Sequence, residues 1–281
     1  MEMLYYDFMQ RAFLSSGLTA LLASVLGVYL MLRRHALMAD MLSHVSLAGV
    51  AAGALLGINP AWTGFGVAIV GAVAVEYVRR AYKTYSEISI AIIMIGGLSS
   101  AVVLMSLNKT LNKSLSSYLF GSVLAINNSE LLMLGIAALA GAIFFFIFRR
   151  PLYQLTFDED TARTNGLPVD LISFMFSVIT GMIVASAMPV VGVLLVSALI
   201  VLPAALAIRV TPSFNSAIVC SMLFGLTGSW AGLAASYKAG TPPGGTIALV
   251  LLLFLLSGIG IRRLILRLGI YKNKKFQQSG G

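Results

Sequence analysis

Two side chains in this sequence combine metal-ligating chemistry with an apolar setting. They are Asp40 and His44, in the stretch LMADMLSHVSLAGVAAGALLG at residues 37–57. A carboxylate oxygen and an imidazole nitrogen are both good ligands for Zn²⁺ or Mn²⁺. Four residues apart on a helix, they project from one face. An ionisable group at the centre of a membrane helix costs at least about 2.5–3.5 kcal/mol, so the pair requires a partner, a cavity or a function. One pair supplies two ligands where tetrahedral zinc takes four. Two copies of the chain facing a symmetry axis would supply two Asp and two His. The alternative is structural, with Asp40 and His44 bonding each other and a neighbouring helix. Ala48 and Ala51 continue their face. Gly49, Gly53 and Gly57 fall on roughly the opposite face as overlapping GxxxG units, which favour close helix approach.

The elements that position this pair follow from composition. Of the 281 residues, 59% are hydrophobic and 10% charged, against about 25% charged in soluble domains. A chain this apolar has lipid for its solvent. Nine segments approach the roughly 20 apolar residues that a membrane helix needs: 12–32, 41–57, 61–79, 88–107, 130–148, 170–188, 190–208, 216–236 and 246–268. The sixth and seventh are parted only by Met188-Pro189, which reads as a tight turn. Residues 115–127 are too short to span and read as a re-entrant or interfacial helix. An eight-span threading with a peripheral first or last helix is the alternative.

With the N-terminus outside and nine spans, 15 of the 19 Lys and Arg fall on the inner side. This obeys the positive-inside rule. The net charge of +9 is therefore topological and implies no nucleic acid. The fold class is an all-α integral membrane protein of eight or nine transmembrane helices. Residues 1–271 form one membrane domain, and the polar residues 272–281 are expected to be a cytoplasmic tail without order.

The longest polar segment is RRPLYQLTFDEDTARTNGLPV, residues 149–169. The acidic run Asp158, Glu159, Asp160 reads as a helix start, and Gly166-Leu167-Pro168 as its stop. A short helix along the inner surface follows, either an ordinary solvated loop or a docking element for a cytoplasmic partner. Elsewhere, His35 reads as interfacial, and Glu76 as a snorkelling ion pair with Arg79 and Arg80. Glu87 reads as an N-terminal helix charge. Ser43 and Ser46 read as packing or hydrogen-bonding residues, and Cys220 as a small packed residue without a disulfide partner. No HExxH and no GxxxxGK[ST] occur, so neither a zinc protease motif nor a P-loop is present.

Several of these stretches together resemble the permeases of bacterial zinc and manganese ABC importers. The stretches are LRRHALMADMLSHVSLAGVAAGALLGINP at 32–60, YLFGSVLAI at 118–126, FDEDTARTNGLPV at 157–169, VGVLLVSALIVLPAALA at 191–207 and TPPGGTIALV at 241–250. The resemblance implies a transport permease rather than an enzyme, in the bacterial plasma membrane, with its C-terminus cytoplasmic. It implies a homodimer with an ATP-binding subunit on the cytoplasmic side and a metal-binding protein outside. It assigns the ion site to Asp40 and His44. It places coupling to the ATPase at Asp158, Glu159, Asp160, Ala162, Arg163 and Gly166, with Asp160, Ala162 and Gly166 matching a D-x-A-x-x-x-G pattern. Pro203 matches a helix-interrupting proline and joins Gly49, Gly53 and Gly57 as a packing residue. The stretch around Asp40 looks more like the zinc branch. The alternatives are a manganese importer and a stand-alone secondary metal transporter. The cargo is a Zn or Mn ion and no cofactor is held covalently. His44 must be neutral to ligate, so transport is expected to weaken on acidification.

Overall fold

A computed structural model describes residues 7–81, 86–107, 118–121 and 127–278. Every long element among them is a helix: α1 Asp7–Leu32, α2 Leu37–Leu56, α3 Pro60–Ala81, α4 Ser86–Ser106, α5 Asn128–Ile147, α6 Arg149–Phe157, α7 Glu159–Thr164, α8 Val169–Val191, α9 Val193–Val210, α10 Phe214–Ala239 and α11 Pro243–Gln278. Among the described residues nine helices are long and apolar enough to cross a bilayer. They coincide with the nine expected spans, and α6 and α7 occupy the polar segment. The α1–α2 and α9–α10 links lie at one end of the bundle with α6 and α7. Arg33, Arg79, Arg149, Arg163 and Arg209 share this basic end.

Lipid gives helices no hydrophobic reason to associate, so small residues and interhelical hydrogen bonds hold the bundle. The seam between α1 and α10 uses both. Ser221 Oγ donates to the carbonyl of Ser24 at 3.1 Å, and Trp230 Nε1 to that of Phe13 at 3.2 Å. Gly27 lets α1 lie against the backbone of α9, because a Cβ there would fall 2.0 Å from the carbonyl oxygen of Ile200. Pro203 lies buried inside α9, where it leaves the carbonyl of Leu199 without its usual helical N–H.

The glycines of α2 divide in role. At Gly49 a Cβ would meet Val67 Cβ at 2.6 Å and the carbonyl oxygen of Thr63 at 2.8 Å. At Gly53 it would meet Thr63 Oγ1. Both therefore seat α2 on α3. Gly57 does not pack. It ends the helix in the left-handed region at φ 69, its N–H donating to the carbonyl of Gly53, and nothing lies within 4 Å of its Cβ position. A GxxxG spacing cannot tell a packing glycine from a C-terminal cap.

Two further expectations change. The break between the sixth and seventh spans is at Gly192, not at Met188-Pro189. Pro189 is accommodated in the last turn of α8, and the chain turns where glycine allows φ 93. The segment 118–121 packs on that break, since a Cβ on Gly192 would lie 2.4 Å from the amide nitrogen of Gly121. The rest of the 115–127 stretch lies outside the described residues. Finally, α11 runs to Gln278, so the polar stretch expected to lack order is helical as far as it is described.

The packing generates a direct test. Gly49→Ala must force apart two backbones and should lower the stability of the detergent-solubilised protein by about 1–3 kcal/mol. Gly66→Ala, with open space at its Cβ position, should leave stability unchanged or slightly raised. Equal unfolding midpoints for the two variants in thermal melts would show that the α2–α3 seam is not close-packed.

Candidate metal centre

The chain enters α2 through a tight turn. Arg34 adopts φ 59, a left-handed conformation rare outside glycine. The His35 N–H donates to the carbonyl of Leu30 at 2.8 Å. Asp40 then falls in the first turn of α2, where the helix dipole favours a negative charge. Met38, Ala39, Met41, Leu42 and Val45 are buried around it. Asp40 and His44 are not: their side chains stay 34% and 16% exposed. They lie on a stripe of α2 that the rest of the chain leaves partly uncovered. Ala48 and Ala51, expected on the same stripe, are both buried, Ala51 fully.

The Nε2 of His44 and the Oδ1 of Asp40 are 3.9 Å apart. This is too far for a hydrogen bond but short enough for both to reach one ion. The Nδ1 of His44 is buried with no hydrogen-bond partner among the described residues. The neighbouring serines are occupied elsewhere: Ser43 Oγ donates to the carbonyl of Ala39 and Ser46 Oγ to that of Gly64. No group of three or more His, Cys, Asp or Glu able to hold a metal occurs among the described residues. Among the described residues, Asp40 and His44 thus stand as a pair of ligand type without a third such group beside them.

Behind the turn, on the buried side, lies a second polar cluster. Glu76 is 3% exposed, so it does not snorkel. Its ion pair with Arg79, at 2.8 Å, is as expected, but Ser177 Oγ also donates to its other oxygen at 3.1 Å. Arg33 donates to Ser173 Oγ at 2.8 Å and stacks 5.0 Å from the ring centre of Phe176. Burial, with help from Arg79, lowers the pKa of Arg33 to about 10. His35 is partly buried in the link between α1 and α2. It lines a narrow cavity with Arg33, Glu76 and Arg79. Burial first, then the charges of Arg33 and Arg79, push its pKa down to about 3, leaving it neutral. Glu87 stands in the first turn of α4 as expected, and Cys220 is a free, half-buried thiol.

The polar segment forms the expected short helix. Asp158 caps α7, accepting from the Thr161 N–H at 3.0 Å. This bond and the Thr161 hydroxyl hold its carboxyl below the usual carboxylate range. Ala162 is fully buried and anchors α7, while Glu159 and Asp160 face outward. Arg163 reaches Glu159 at 3.7 Å and Asp170 at 3.2 Å. Gly166, at φ 78, stops the helix. Sequence reasoning passed over Tyr153 and Phe157, which stand exposed on α6 with ring centres 4.8 Å apart. Their i, i+4 spacing in RRPLYQLTF was the available signal. A cleft lined by Arg149, Arg150, Tyr153, Ser213 and Phe214 opens beside them.

Comparison with known proteins gives a consistent result. The sequence pattern of the ABC 3 transport family matches residues 5–261. A probable metal transport system membrane protein of Treponema pallidum is 35% identical over 260 residues, covering 92% of this chain and 97% of the relative. A manganese transport system membrane protein of Listeria monocytogenes is 28% identical over 248 residues, covering 88% of each. Among solved structures, PsaBC from Streptococcus pneumoniae in complex with Fab superposes with a TM-score of 0.79 at 28% identity, over 90% of this chain and 91% of that one. An inward-facing putative metal-chelate type ABC transporter shares the fold, with a TM-score of 0.70 at 19% identity, over 89% and 85%. These matches, over a helical bundle of the same kind, establish that the chain belongs to the ABC 3 transport family, as a membrane permease of metal transport.

Proposed function

We propose that this chain is the membrane-spanning half of an ATP-driven importer of a divalent transition-metal ion. The observation that carries the reading is the half ligand set. Asp40 and His44 share an uncovered stripe, do not bond each other, and number two. A second copy related by a two-fold axis would complete a set of two carboxylates and two imidazoles. Such a set, away from bulk water, attracts a divalent ion more strongly than a monovalent one. It accepts zinc, and a manganese ion could add water or a second carboxylate oxygen. The stretch around Asp40 leaned toward zinc. The names of several relatives favour manganese, and manganese is the first reading here.

The basic end of the bundle faces the cytoplasm by the positive-inside rule, with the N-terminus outside and the bacterial plasma membrane as the site of action. There α6 and α7 offer an ATP-binding subunit an exposed aromatic pair, Tyr153 and Phe157, beside the acids Glu159 and Asp160. A metal-binding protein delivers the ion at the opposite end. ATP-driven motion of α7 pulls the two α2 helices apart and releases the ion inward.

Cells lacking the gene, complemented with wild type, Asp40→Ala or His44→Ala, provide the test, with manganese and zinc uptake followed separately. Wild type should restore manganese uptake. Each variant should reduce it at least about 10-fold while reaching the membrane in equal amount. Restoration of zinc alone would transfer the proposal to zinc. Full transport by His44→Ala would leave the pair a structural feature.

Gly166 offers a second test. A β-branched residue at φ 78 costs about 1–2 kcal/mol and reorients α7. Gly166→Val should lower uptake more than ATP hydrolysis by the purified complex. Unchanged uptake would remove α7 from coupling.

A further inference from the structure

Three bonds lie along one face of α8. Its Asp170, Ser173 and Ser177 are spaced i, i+3 and i+7, so they project in one direction. Asp170 accepts from Arg163 of α7 at 3.2 Å. Ser173 accepts from Arg33, in the turn that leads into α2, at 2.8 Å. Ser177 donates to Glu76 of α3 at 3.1 Å. One helix thus holds, in order, the short cytoplasmic helix, the root of the ion-bearing helix, and the helix on which Gly49 and Gly53 seat that ion-bearing helix.

We infer that the Asp170–Ser173–Ser177 face of α8 is the strut by which movement of α7 reaches the helix carrying Asp40 and His44. The inference rests on the transport reading proposed above. Its parts have the character a strut requires. Hydrogen bonds to charged groups are directional and stronger than neutral ones. Arg33 is clamped from two sides, by the Ser173 hydroxyl and the Phe176 ring. Glu76 is held by partners on its own helix and on α8, and its burial makes any displacement from them costly. Farther along, α8 lies close to α3 at Gly181, where a Cβ would fall 3.0 Å from the carbonyl oxygen of Ala68. A shift of α8 along its axis therefore drags α3 and the α1–α2 turn with it, and α2 hangs between those two. Ser173, Ser177, Arg33 and Glu76 are positioning residues: none of them touches the ion.

The hydroxyls make clean probes, because removing one oxygen leaves the packing in place. The double variant Ser173→Ala/Ser177→Ala is reconstituted into vesicles with the ATP-binding subunit and the metal-binding protein. Uptake and ATP hydrolysis are measured on the same sample. Hydrolysis should stay within about twofold of wild type while uptake falls about five- to tenfold, so that the ratio of ions moved to ATP consumed falls. Metal binding to the detergent-solubilised permease, with Asp40 and His44 intact, should not change. Ser177→Thr, which keeps the hydroxyl, should retain the wild-type ratio. An unchanged ratio in the double variant overturns the inference, as does a parallel fall of uptake and hydrolysis with a lowered melting temperature. A wild-type complex that moves no metal would instead overturn the transport reading itself.

Discussion

Every polar group in this bundle is governed by the cost of leaving a charge or dipole unsatisfied in an apolar medium. The chain answers that cost in two ways. Glu76 is taken out of contact with lipid and given two donors, Arg79 and Ser177. Ser221 and Ser229 of α10 are spent on backbone carbonyls of α1. Asp40 and His44 receive neither treatment. They stand 3.9 Å apart, partly exposed, with one ring nitrogen unpartnered. Thr19, Ser24, Ser89 and one Arg33 nitrogen are also buried without a partner among the described residues; what sets this pair apart is that a carboxylate and an imidazole, both of metal-ligating type, stand together on a partly uncovered stripe.

The two sides of α2 explain how such a pair can be held in place. One side is clamped to α3 by the glycines at 49 and 53, where a single methyl group would collide with α3 backbone at 49 and with the Thr63 side chain at 53. The other carries the ligands. Close packing behind a helix fixes its rotation, and rotation sets where the ligands point. The Arg34 turn and the Arg33 clamp fix the height of its first residues in the same way. Rigid placement matters more if, as proposed, a second copy completes the site, because an error in one copy would then be doubled across the axis.

Much of this was legible in the sequence, for reasons that can be stated. The nine spans follow from hydropathy because lipid admits few alternatives for a backbone. The α7 helix follows from its acids and its stop glycine, because capping chemistry is local. Asp40 and His44 stand out in the sequence by the cost of ionisable groups in an apolar helix. What escaped were properties set by neighbours distant in the chain. Gly57 shares the spacing of Gly49 and Gly53 but has nothing opposite it. Pro189 looked like a turn, yet a proline in a last helical turn is tolerable, and Gly192 carries the reversal instead. Glu76 looked like a snorkelling partner of Arg79 and Arg80 at the end of its span. Only the arrival of α8, about a hundred residues later in the chain, buries it and supplies Ser177.

That last case bears on how the site and its drive are joined. A snorkelling Glu76 would belong to the surface and carry no force. A buried one, bonded across to α8, connects the helix behind the ligands to the helix that leaves α7. Polar atoms bonded between helices, Glu76 and Ser177 among them, tie the elements together, whereas Asp40 and His44 are too far apart to bond and stay partly exposed. Both follow from one rule about dipoles in an apolar medium. A partner within the chain makes a polar group into a fastening, and the lack of one leaves it available for a partner that comes and goes.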